Sequence, residues 1–217
     1  MVLGNPTIPQ IGHTLVVGEG WYWRMGDTVP VEIMAILHEI DKALDAKLYY
    51  VAIAVALSVP DICASLEFDP DNPRRANETS YSTWWDTYGG AQFTNLAGID
   101  LYRLRCGVLH FGHFGHAKAK FNRVMFIGPQ TGFNGHDLVL TVAEQVAFGG
   151  VSAEELRLSG RVLLLDVVRF CRSIMDTASA WSIAKAKDPY VAKNLLNLVR
   201  YRPDGLPPFS VGVPTIA

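Results

Sequence analysis

The sequence predicts a mostly helical fold: a four- to five-helix bundle with a β-hairpin inserted before a long late helix. Three observations carry this. Ile33, Ile36, Leu37, Ile40 and Leu44 recur at the spacing of one helix face. The next segment, AKLYYVAIAVALSVPDICASLE, is apolar on most sides, as the central helix of a bundle is. Two short runs, FNRVMFIG and DLVLTVAE, alternate loosely and flank PQTGFNGH, which reads as strand, turn and strand over about 121–143.

Taken in order, residues 1–29 are rich in Gly and Pro without a sustained period and read as an N-terminal arm anchored through Trp21, Tyr22 and Trp23. The helical domain is expected over 30–200. In its second helix Pro60 predicts a kink or restart, with Ser58 available as a cap. FDPDNPRRANE reads as a loop, and SYSTWWDTYG as a short helix ending at Gly89-Gly90. A helix is expected from about Gly98 to Leu109, stopped by the glycines at 112 and 115. Ser152 and Glu155 have the spacing of a capping box and predict a long helix to about Ala178, with Leu156, Val162, Leu163, Val167, Phe170 and Ile174 facing inward. One more helix is expected near 188–200. The tail 201–217 holds four prolines and is expected to be irregular.

With 49% apolar and 18% charged residues, the 217-residue chain has ample material for a core. Its net charge of −2 argues against a bulk polyanion binder, but the charge is uneven. Between Leu101 and His136 stand Arg103, Arg105, Lys118, Lys120 and Arg123 with no Asp or Glu, so this segment carries +5 and the remainder −7. That asymmetry permits a local anion site. Three widely spaced cysteines, Cys63, Cys106 and Cys171, predict reduced thiols rather than a disulfide framework. The start of the chain does not read as a signal peptide, and the longest apolar run is short of a membrane span. A cytoplasmic protein without a membrane partner is therefore expected.

The candidate chemistry concentrates in RLRCGVLHFGHFGHAKAK, from Arg103 to Lys120. His110, His113 and His116 supply three imidazoles at intervals of three. On a regular helix the outer two diverge by about 120°, which suits one metal ion poorly. No metal or other cofactor is expected, although a metal-dependent hydrolase on these three histidines is one alternative. Arg105 and His110 lie five apart, about 140° around a regular helix. Two such helices meeting about a two-fold axis would bring two Arg and two His into one cleft. The plainer alternative pairs Arg105 with a carboxylate and leaves His110 as a helix-end histidine. Asp61, isolated in an apolar stretch, is a candidate to orient either one, or else serves the first turn of its own helix. Arg103, His113, His116, Lys118 and Lys120 are candidates for a phosphate-binding rim, and Asp100 and Tyr102 for positioning substrate. Tyr81, Trp84, Trp85 and Tyr88 suit either base stacking or core packing. GPQTGFNGH lacks the ending of a phosphate-binding loop. His38, Asp41 and Asp45 read as an exposed helix face.

The stretch Arg105-Cys-Gly-Val-Leu-His110 resembles the Arg, four-residue spacer, His motif of the HEPN superfamily of helical nucleotide-binding and ribonuclease domains. The wider context EIDKALDAKLYYVAIAVALSVPDIC, WWDTY and YRLRCGVLH is similar to a bacterial group of this architecture, over roughly 30–116. The resemblance implies metal-independent RNA cleavage at a homodimer interface, with a 2′,3′-cyclic phosphate product. His110 would act on the ribose 2′-hydroxyl and Arg105 on the scissile phosphate. It also implies a role as a toxin, with an antitoxin partner, or in phage defence. Two positions depart from the pattern. Cys106 stands where many members carry a polar residue such as Asn, and Gly112 stands where some carry Tyr. A non-catalytic helical module that binds RNA or nucleotide, or only dimerises, is the reading from another class.

Overall fold

The computed structural model describes residues 29–114, 120–129, 137–142 and 160–217. Its first element, α1 (Val31–Asp45), buries Ile33, Leu37, Ile40, Ala43 and Leu44. Ile36 is only half-buried, and Glu32 turns inward, where Arg200 Nη1 donates to its Oε1 at 2.6 Å. The central helix is α2 (Tyr49–Leu66), which packs on α1 and on every later helix to be described. It passes through Pro60 without interruption, and Ser58 Oγ donates to Val55 O instead of capping a new helix. By length and composition α2 resembles a membrane span, but half of it is buried inside the bundle.

In α3 (Glu78–Tyr88), Asn77 caps the start. Its Oδ1 accepts from Ser80 N while Ser80 Oγ accepts from Asn77 N. Tyr81, Trp84 and Trp85 are buried, so this aromatic run builds core rather than a stacking platform. Next comes α4 (Gly98–Cys106), whose chain continues into a π turn, Gly107–Phe111. Gly112, at φ +68°, ends it in the left-handed conformation that glycine adopts without strain.

Strands β1 (Arg123–Ile127), β2 (Asp137–Val142) and β3 (Gly160–Asp166) form one sheet in the order β1-β3-β2. The expected hairpin is thereby corrected. β1 and β2 are not neighbours; β3 lies between them, parallel to β1 and antiparallel to β2. The long helix expected from Ser152 to Ala178 is corrected too. Its capping box and Leu156 lie outside the described residues, and Val162 and Leu163 belong to β3. A short apolar run such as VLLL satisfies both periods, and a central strand covered on both faces shows no alternation. The helix α5 (Val167–Ala184) begins directly after β3, where Asp166 Oδ1 accepts from Arg169 N at 2.8 Å.

The last helix is α6 (Pro189–Leu195), capped by Asp188. The tail is not wholly irregular: β4 (Tyr201–Arg202) and β5 (Thr215–Ile216) pair antiparallel. The core joins α1–α6 to the inner face of the sheet through Phe93, Phe126 and Phe170. All three cysteines are free. Burial pushes the Cys63 thiol well up and that of Cys171 up to about 12, so neither is a reactive thiolate. The arm at 1–28 lies outside the described residues.

Candidate functional site: an aspartate, an arginine and a histidine across two helices

Arg105 sits in the last turn of α4 and His110 in the π turn that follows. On a regular helix they would diverge. A π turn closes its backbone rings over five residues instead of four, so residues five apart return to one face. Arg105 Nη1 lies 3.0 Å from His110 Nε2. Guanidinium cannot accept, so His110 Nε2 does, which places the imidazole proton on Nδ1.

Across the helix pair, Arg105 Nε donates to Asp61 Oδ2 on α2 at 2.6 Å. The carboxylate and the arginine are partly shielded, with side chains 18% and 21% exposed, whereas His110 is exposed. Arg105 thus pairs with a carboxylate, as the plainer alternative expects, and also contacts His110 within the same chain. Burial raises the Asp61 carboxyl above its ordinary value, and the opposing pull of Arg105 and His110 does not cancel it. Burial works downward on Arg105, but Asp61 and the Cys106 side chain outweigh it and hold the guanidinium above its ordinary value.

Tyrosines floor and brace this line. Tyr81 is fully buried, donates to Leu57 O at 3.0 Å and meets the edge of Tyr102, ring centres 5.4 Å apart. Burial, and then Cys106, raise the Tyr102 hydroxyl above its ordinary value. Tyr50, at the start of α2, donates to Val108 O at 3.1 Å and ties the π turn to the bundle. His113 N and Gly112 N both donate to Gly107 O, closing the turn from its far side.

The other expected site residues fall differently. Arg103 lies two residues before Arg105, about 200° around the helix and so on the opposite face; its Nε is buried without a partner among the described residues. His113 stacks on Phe111 with ring centres 5.7 Å apart. Lys120 is exposed and lies over the Phe121 ring at 5.3 Å. His116 and Lys118 lie outside the described residues. No group of three metal-ligating side chains occurs among the described residues. Asp100 is buried in the first turn of α4, while His38 and Asp45 are exposed and Asp41 partly so. Sequence reasoning missed Tyr50 and the π turn itself. The five-residue spacing of Arg105 and His110 was the available signal for the turn; nothing in the sequence marks Tyr50.

Chemically, the line from Asp61 to His110 offers a cation held at one end and an exposed imidazole nitrogen at the other. Comparison of the chain with protein-family models, with curated proteins and with solved structures finds no match.

Proposed function

We propose that the chain is a metal-independent endoribonuclease, with HEPN-like chemistry at Arg105 and His110. The single observation that carries this reading is the Asp61–Arg105–His110 line, in which the only exposed member is the imidazole. Asp61 holds Arg105 by Nε, leaving the Nη end of the guanidinium to meet a phosphate. When phosphate takes that end, Nη1 leaves His110 and the Nε2 lone pair is released at the place where it is needed.

His110 Nε2 then removes the proton of the ribose 2′-hydroxyl. The 2′-oxygen attacks phosphorus, the bond from phosphorus to the 5′-oxygen breaks, and a 2′,3′-cyclic phosphate forms. The departing 5′-oxygen takes a proton from water in the groove shared with a second copy, and His110 gives up the proton it took to solvent in turn. Arg105 offsets the charge that grows on the phosphoryl oxygens. Without a 2′-hydroxyl the reaction cannot begin, so DNA is not cut.

A second copy is also supported by the surroundings of His110. Leu48, Tyr50 and Val51 on one side and Leu109 and Phe111 on the other are all exposed, Phe111 by 66%. Apolar side chains gathered around a polar centre suit a homodimer interface with the reactive groups in its groove. A cytoplasmic role in defence, or as a toxin with an antitoxin partner, is the cellular setting that fits such an activity.

The test is cleavage of a panel of single-stranded RNAs in EDTA by the purified full chain. Wild type should yield 2′,3′-cyclic phosphate ends, and Arg105→Ala and His110→Ala should each lower the rate at least a hundredfold while remaining folded. Activity that persists in both variants refutes the assignment. RNA bound but never cut would favour the non-catalytic module.

A further inference from the structure

A groove of about 380 Å³ opens between the end of α2, the loop 68–74 and the end of α6. Asp61 lines one end of it. The same carboxylate holds Arg105, so the groove and the Arg105/His110 pair are separated by a single side chain. We propose that this groove is the base-binding subsite for the nucleotide next to the scissile phosphate of a single-stranded RNA. The inference rests on the ribonuclease reading for its substrate class.

Shape comes first. The volume is in the range of small-ligand sites, about 300–1,000 Å³, enough for one nucleoside and far too small for a duplex. Ile62, Leu66, Phe68 and Leu198 give it an apolar lining, Phe68 being its aromatic residue. The walls are held before any ligand arrives. Asn194 Nδ2 donates to Leu66 O at 3.0 Å and to Phe68 O at 2.8 Å, fixing α6 to the end of α2. Ser65 Oγ accepts from Ala76 N at 2.9 Å, and Lys193 Nζ donates to Asp71 Oδ1 at 2.7 Å, which hold the loop from both sides.

Charge then selects the part of the nucleotide. Asp61 and Asp69 face Arg74 as the sole cationic residue in the lining. With Asp61 already paired to Arg105, Asp69 and Arg74 leave the lining without net charge, which suits a neutral base in the groove and the phosphate at Arg105. Arg74 and Asn197 are exposed at the rim, with no side-chain partner among the described residues, and can donate to ring acceptors. One Asp69 oxygen accepts from Asp71 N, and the other is placed to accept from an exocyclic amine. Donors beside a carboxylate match a base edge that sets an N–H next to an acceptor oxygen or ring nitrogen.

The test uses the full chain and two readouts. In the first, adenosine, cytidine and uridine 3′-monophosphates are titrated while the side-chain amide resonances of Asn194 and Asn197 are followed. These nucleotides should shift them at millimolar concentration or below. In the second, Asn197→Trp, which fills the groove from an exposed position, and Arg74→Ala should raise KM for RNA about tenfold with kcat little changed. Shifts that are absent, or unaltered by Asn197→Trp, overturn the subsite. An unchanged KM in both variants, while Arg105→Ala abolishes cleavage, overturns it too and leaves the ribonuclease reading standing. Nucleotide shifts in a chain that cuts no RNA support the subsite and refute the nuclease.

Discussion

Asp61→Asn separates what the ion pair does for stability from what it does for function. The Asn side chain keeps the shape and still accepts from Arg105 Nε. Burial raises the Asp61 carboxyl more than Arg105 and His110 lower it, so the native chain holds that proton more tightly than the unfolded chain does. For such a group the stability contribution is fully present below the unfolded carboxyl value near 3.9, and is lost as pH rises through the higher native value. At pH 7 the ionised carboxylate is therefore a net burden. Asp61→Asn should leave stability at pH 7 unchanged or somewhat higher, because it removes a desolvated charge while keeping the acceptor. Arg105→Ala does the opposite by stranding the carboxylate. Breaking a fully buried pair costs about 3–5 kcal/mol; with Asp61 18% exposed, solvent reduces the cost to about 2 kcal/mol. In the Asp61→Asn background the same arginine truncation should cost less than about 1 kcal/mol. Urea unfolding followed by circular dichroism at pH 7 and pH 4 measures all four chains, and the Arg105→Ala penalty should shrink at the lower pH. A loss above about 2 kcal/mol for Asp61→Asn at pH 7 would mean that attraction outweighs burial, and the reasoning would fail. Cleavage should fall sharply in Asp61→Asn all the same, because Arg105 loses its fixed countercharge.

Two glycines give further tests. Gly112→Ala places a side chain at φ +68° with open space around it, so the cost is backbone strain alone, about 1 kcal/mol, read as a lower urea midpoint. In Gly98→Ala the added Cβ runs into the Ser82 backbone where α3 and α4 cross; a loss of about 2–3 kcal/mol should follow, and a neutral result would mean that the two helices part easily.

α1 was legible because its apolar residues repeat on one face, α2 because it is apolar on most sides, and the next two helices because glycines mark their ends, Gly89 after α3 and Gly112 beyond the π turn. Arg105, His110 and Asp61 were legible as candidates by residue type, since a lone carboxylate in an apolar helix calls for a partner, and the pairing of Asp61 with Arg105 supplies one. Their geometry was not. A helical wheel separates Arg105 from His110, and only the wider π turn unites them. The sheet was read as two strands instead of three because VLLL fits either period and its partners come from distant segments. The groove beside Asp61 was beyond local reading altogether. Its walls, around Phe68 and Asn194, are separated by more than a hundred residues and meet only through the packing of α6 on α2.

The strap that Tyr50 throws over the carbonyl of Val108 also bears on tempo. With the wide coil pinned to the bundle by that hydroxyl and closed by Gly112, on the ribonuclease proposal admitting a polyanion would ask only that the outer half of one guanidinium swing aside. Such rotations take picoseconds to nanoseconds. That step would then be too fast to pace the reaction.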